Sequence, residues 1–161
     1  MLAGVSETGY EMASTADRKV KRALATAERI CRERGVRLTE TRRRVLELIL
    51  EAGQPIGAYG LLGRLSGQPM PPTVYRAIDF LLAQKFIHRI ESLNAFVGCL
   101  DSDHPHESQF VICRDCGTTE ELHDDAIVAS IRRHGQSLGF RIDSQIVEVR
   151  GICAACRGAG H

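Results

Sequence analysis

Apolar residues recur at helical spacing through most of the first 85 positions, then switch to strand-like alternation near residue 86. The stretch DRKVKRALATAERICRERG predicts a helix closed by Gly35. LTETRRRVLELILEAG predicts a second helix, with Thr39 as its N-cap and Val45, Leu46, Ile49 and Leu50 as its inward stripe. GAYGLLGRLSG reads as a short third helix with Tyr59, Leu62 and Leu65 on one side, and QPMPP breaks the chain. Thr73 then caps a fourth helix, TVYRAIDFLLAQK, which turns Val74, Ile78, Leu81 and Leu82 inward and Tyr75, Arg76 and Asp79 outward. FIHRIESLNAFVGCL follows as two alternating strands around the turn SLN. Three helices, a capped fourth and a β-hairpin compose a winged helix.

The polar stretch DSDHPHES reads as a linker. Beyond it the pattern predicts a strand over 108–113, a knuckle, a strand over 118–122, a helix DDAIVASIRRHG and a last strand FRIDSQIVEVRG. The predicted class is α+β, with a flexible tail over 1–16, a winged-helix domain over 17–98, a hinge carrying metal ligands over 99–107, and a small α/β domain over 108–161. The last is marginal alone by size and would gain from a metal staple and from dimerising.

Charge sharpens the division. Residues 1–98 carry 15 Lys/Arg against 10 Asp/Glu, and residues 99–161 carry 6 against 10. Eleven of the basic side chains lie in residues 17–44. A basic front half joined to an acidic, Cys/His-rich back half suggests an anion-binding module attached to a metal module, although a basic run is also what a solvated helix face carries. No stretch is apolar enough to span a bilayer, and the first residues lack a secretory pattern, so a cytoplasmic location is expected. There thiols stay reduced, and clustered cysteines read as metal ligands or redox groups before disulfides.

Two CxxC pairs, Cys113/Cys116 and Cys153/Cys156, each follow a predicted strand. Four thiolates form the closed tetrahedral set of a structural zinc site. A thioredoxin-like site would place CxxC at a helix start, whereas the strand-like GTTEEL follows Cys116. A zinc deaminase would need an H-x-E motif ahead of P-C-x-x-C, and neither is present.

A second, mixed site is expected from His88, Cys99, His106 and Glu121. A turn centred on residue 93 sets His88 opposite residue 98 and beside Cys99 across the strands. The hairpin around the first knuckle sets His106 roughly opposite Glu121. Two imidazoles, a thiolate and a carboxylate suit zinc, and the sulfur argues against magnesium or calcium. Ordinary strand roles for His88 and Cys99, and a surface role for Glu121, fit the same spacing. His104 and His123 lie near enough to assist. Cys31 reads as a core residue, His134 as a helix C-terminal partner of the dipole, and His161 as part of the tail.

LTETRRRVLELIL, PPTVYRAIDFLL, FIHRIESLNAFVGC, HESQFVICRDCG and GICAAC together resemble the ferric uptake regulator family, and within it the zinc uptake regulator subgroup, from about residue 20 to residue 156. The resemblance implies a homodimeric, metal-dependent repressor of double-stranded operator DNA, with no membrane or small-molecule partner and no enzymatic activity. It implies two Zn²⁺ per chain, one structural on Cys113, Cys116, Cys153 and Cys156, and one regulatory on His88, Cys99, His106 and Glu121. It places DNA contacts on Tyr75 and Arg76 of the recognition helix, with Thr73 beside them and Arg42 as a phosphate contact. Iron-sensing members carry a His-rich run before the first CxxC and further histidines later. Here only His104 and His106 stand there, and RIDSQIVEV contains none.

Overall fold

The computed structural model describes residues 8–67, 70–103 and 107–159, with side chains from Thr15 onward. The chain divides into two compact units, Met1–His104 and Pro105–His161. Among the described residues, no helix is long and apolar enough to cross a membrane.

The first unit contains α1 (Thr8–Glu33), α2 (Glu40–Ala52), α3 (Ala58–Arg64), α4 (Pro71–Ala83), β1 (Ile87–Ile90) and β2 (Ala95–Gly98). α1 reaches back to Thr8, into the stretch expected as a tail; extending an existing helix costs far less than nucleating one. Residues 1–7 lie outside the described residues. Its buried positions Leu24, Ala27, Ile30 and Cys31 follow the 3.6-residue period and pack on the apolar stripe of α2. Thr39 caps α2, its Oγ1 accepting from the Arg42 N–H at 3.4 Å.

Two expectations for the next helices are corrected. On α3 the buried residue is Leu61, flanked by the partly buried Ala58, Leu62 and Leu65, while Tyr59 is 85% exposed. Spacings of three and four keep the stripe 58, 61, 62, 65 on one face, whereas the two successive spacings of three from 59 through 62 to 65 drift off it. Thr73 is not the cap of α4. That helix starts at Pro71, with Met70 in the cap position and two prolines in its first two places, where a missing N–H costs nothing. Val74, Ala77, Ile78 and Leu81 are buried beneath it, and Thr73, Tyr75, Arg76 and Asp79 face solvent.

β1 and β2 form the wing. Asn94 takes a left-handed conformation after a 3-10 turn over Glu91–Leu93. The register is His88 with Val97 and Ile87 with Gly98, one residue from expectation, because the turn centres between 92 and 93. The Cys99 N–H continues the ladder to Phe86 O at 2.9 Å, and Ile56 bridges to Phe96. Gly98 lies where a Cβ would stand 2.4 Å from Leu50 Cδ2, so the wing lies directly on α2.

The second unit contains β3 (Ser108–Cys113), β4 (Thr119–Leu122), α5 (Asp125–Ser137), β5 (Ile146–Gly151) and a single turn of helix, α6 (Ala154–Gly158). Strand order is β4-β3-β5, with β4 antiparallel and β5 parallel to β3. One face of β3 buries Phe110 and Ile112; the other carries Val111, paired with Val149 of β5, and both are exposed. Glu107 ties this unit together by pairing with Arg132 of α5 and accepting the Gln145 N–H at 3.0 Å.

Candidate metal centre and nucleic-acid interface

The β3–β5 pairing explains why two distant CxxC pairs meet. Cys113 ends β3 and lies in register with Gly151, so the chain leaving β5 passes directly beside the first knuckle. The Arg114 N–H donates to Gly151 O at 2.9 Å, and the Cys153 N–H points at Cys113 Sγ at 3.3 Å. Cys153 also caps α6, its sulfur accepting from the Cys156 N–H at 3.5 Å. The second CxxC therefore opens a helical turn, which the small residues of CAAC permit.

The sulfurs of Cys113, Cys116, Cys153 and Cys156 all lie within 4.8 Å of one another. Cys116 Sγ and Cys153 Sγ are 3.8 Å apart. Tetrahedral zinc with Zn–S bonds of about 2.3 Å requires sulfur separations of about 3.8 Å, so the donor set and its spacing fit the ion. Among the described residues this is the one cluster of three or more potential ligands drawn that close.

The electrostatics are those of a site built for a cation. The Cys153 backbone N–H, followed by that of Cys116, pulls the Cys113 thiol down to about 6. Cys116 is also lowered, chiefly by the Thr118 hydroxyl, 3.1 Å from its sulfur. Cys156 is pushed up to about 12, first by its contact with the Cys153 sulfur and then by Cys116. Crowded sulfurs resist a further negative charge, and a divalent ion at their centre reverses that penalty.

The residues expected for the mixed site are placed as follows. His88 and Val97 are partners across the wing, so Cys99, two residues beyond Val97, is the diagonal neighbour of His88 on the same face. With the expected register the two would have pointed to opposite faces. Cys99 is 2% exposed. Glu121 pairs with Phe110 rather than with position 106: the hairpin turns between residues 115 and 116, at the far end of the Cys113–Cys116 knuckle. His106 and His104 lie outside the described residues, as does His161. His123 Nε2 stands 4.0 Å from the Glu121 carboxylate. Cys31 is a core residue whose thiol is raised by burial. His134, in the last turn of α5, faces Ser130 O at 2.7 Å.

α4 presents Tyr75, 44% exposed, with Arg76 and Thr73 beside it. The basic run is less available than its composition suggested. Lys21 is held by Asp17, Arg29 by Glu33 and Asp103, Arg43 by Glu28, and Arg44 by Glu47. Lys19, Arg22, Arg32 and Arg37 have no carboxylate partner among the described residues. Arg42 is half-buried, and its guanidinium carbon lies 3.7 Å from the centroid of the Phe80 ring.

A helix-turn-helix with a wing, joined in one chain to a four-thiol cradle of zinc dimensions, defines a winged-helix metalloprotein. Comparison with known proteins gives the family. The ferric uptake regulator family matches residues 33–150. The zinc uptake regulation protein of Escherichia coli (strain K12) is 42% identical over 137 residues, covering 83% of this chain and 80% of that protein. A zinc uptake regulator complexed with zinc and DNA superposes with a TM-score of 0.82 at 40% identity, over 87% of this chain and 96% of that one. The crystal structure of holo XcZur gives 0.78 at 44% identity, over 84% and 96%. The chain belongs to the ferric uptake regulator family.

Proposed function

We propose that the chain is a zinc-responsive transcriptional repressor that binds palindromic operator DNA as a zinc-loaded homodimer and represses zinc-uptake genes. It is a regulator rather than an enzyme. The observation that carries this reading is the 42% identity, over 83% of the chain, to a zinc uptake regulation protein. The four-sulfur cradle supports it independently, since its spacing suits zinc.

Two Zn²⁺ per chain are proposed. Cys113, Cys116, Cys153 and Cys156 would hold the structural ion, tying the end of β3 to the end of β5. His88, Cys99, His106 and Glu121 would hold the regulatory ion; the shared face of His88 and Cys99 on the wing favours this, alongside the family resemblance. Zinc, when bound, supplies a four-coordinate centre that fixes the angles between its ligands. The wing, which lies on α2 through Gly98 and Leu50, would pass that constraint to the helices that meet DNA.

At the DNA, Tyr75 and Arg76 would read base edges in the major groove, with Thr73 beside them at the N-terminus of the helix. Lys19, Arg22, Arg32 and Arg37 are the side chains best placed by their lack of acidic partners to meet phosphates. Self-association is favoured by the exposed valines of β3 and β5 and by the position of β5 at the sheet edge. Since the proposed target is operator DNA, the site of action would be the cytoplasm.

The test is a titration of duplex binding with buffered free zinc and, separately, free iron. Zinc alone should confer tight, sequence-selective binding. Equal response to iron would assign a different signal, and no metal dependence at all would leave only a zinc-stapled interaction domain.

A further inference from the structure

We infer that Arg42 is a positioning residue: it is a strut that fixes the recognition helix α4 against α2 and does not bind DNA phosphate. The inference rests on the reading of α4 as the DNA-recognition helix.

Arg42 lies in the first turn of α2, and three contacts hold it in place. Its backbone N–H is taken by the cap Thr39. Its Nη1 donates to Arg37 O at 2.6 Å, bracing the loop that leads into α2. Its guanidinium carbon sits over the ring of the half-buried Phe80, at 3.7 Å to the centroid. Phe80 stands one helical turn beyond Arg76 and directly after Asp79 on α4. The stack therefore joins the entry loop of α2 to the same stretch of α4 that carries the outward side chains. Its neighbours in sequence, Arg43 and Arg44, instead pair with carboxylates on the α1 and α2 surfaces.

A planar guanidinium on a ring is a directional contact. It is attracted by the ring quadrupole, and the fixed fork keeps the Arg37 carbonyl bond in place at the same time. Lysine keeps the charge but offers no plane to stack. Losing the stack would free α4 to roll relative to α2, which moves Tyr75 and Arg76 relative to the base edges while leaving the count of phosphate contacts unchanged.

The experiment uses the full-length, zinc-loaded protein and a duplex enriched by it from a randomised library, with a scrambled duplex as control. Arg42→Lys and Phe80→Leu should each weaken binding to the enriched duplex by roughly five- to tenfold. Binding to the scrambled duplex and the log–log salt slope should not change. Phe80→Tyr, which keeps a ring face, should retain parent affinity. Combining Arg42→Lys with Phe80→Leu should cost no more than either alone, because both remove one contact. Circular dichroism and zinc content confirm that each variant is folded. The strut is overturned if Arg42→Lys binds like the parent while Arg42→Met lowers the salt slope by about one, the signature of a lost phosphate contact. It is equally overturned if Phe80→Leu, folded, leaves selectivity intact. If the parent enriches no sequence at all, it is the DNA-binding reading that fails, a result separate from any behaviour of the variants.

Discussion

Cys113 illustrates how one residue serves fold and chemistry together. It ends a buried strand at 4% exposure, and its sulfur receives the Cys153 N–H from the far end of the unit. That N–H is the largest of several hydrogen bonds, those from Cys116 and Asp115 among them, that lower the thiol to about 6, so Cys113 enters the cluster as a ready thiolate, while Cys156, pushed up to about 12, keeps its proton near neutrality. Metal binding must displace that proton, so zinc loading of the stripped protein should release protons and tighten as pH rises. Proton release measured in weakly buffered solution, with affinity followed from pH 6 to pH 8, checks the sign; an affinity that fell with pH would contradict it. Cys113→Ser removes one corner of the cradle and the acceptor of that N–H. The second unit should then lose its structural zinc and much of its stability, because binding energy at such a site is folding energy. A zinc-replete variant with parent-like thermal unfolding would exclude the assignment.

At the scale of elements, the wing and α4 show what the sequence could reveal and what it could not. The inward stripes of α2 and α4 were legible because period and burial coincide there: Val45, Leu46, Ile49, Val74, Ile78 and Leu81 are all buried. The start of α4 is less legible, because Thr73 offers a side-chain cap whereas Pro71 and Pro72 set the helical φ in advance without one. Hairpin register is not legible in the sequence because it depends on turn geometry: a 3-10 turn sets His88 opposite Val97, and a knuckle turning between 115 and 116 sets Phe110 opposite Glu121. The approach of Cys113 to Cys153 was legible only as a spacing; the parallel β3–β5 pairing that produces it is a long-range contact with no local signal. The wing's seat on α2 was not legible at all, since a glycine in a strand carries no marker of what lies above it. Gly98→Val would drive a branched side chain into Leu50, and overpacking of this kind costs about 1–3 kcal/mol. Urea unfolding should show a lower midpoint with an unchanged m-value. A variant as stable as the parent would show that β2 can lift off α2 freely.

At the scale of the whole molecule, association and coupling are the properties to test. The sheet of the second unit leaves Val111, Val149 and Leu122 exposed on one face, and β5 lies at its edge. Val149→Asp places a charge on that face and should shift the protein from dimer to monomer without releasing zinc from the cysteines, which light scattering and metal analysis would show. Cys99→Ser then tests coupling. A hydroxyl is a far poorer zinc ligand than a thiolate, so the proposed regulatory site should weaken while the four-cysteine site keeps its ion. The wing should stay packed, since serine is of similar size and the Cys99 N–H to Phe86 O bond is made by the backbone. What should disappear is the linkage between zinc and operator DNA, about 1–3 kcal/mol for effector coupling of this kind. Linkage is reciprocal: in the parent, operator DNA should tighten zinc binding by the same factor by which zinc tightens DNA binding, and in the variant neither should occur. Measuring zinc content, dimer mass and operator affinity across a buffered zinc series for both proteins decides the matter. If Cys99→Ser keeps an unchanged zinc dependence, Cys99 is a core residue of the wing and the regulatory ion binds elsewhere.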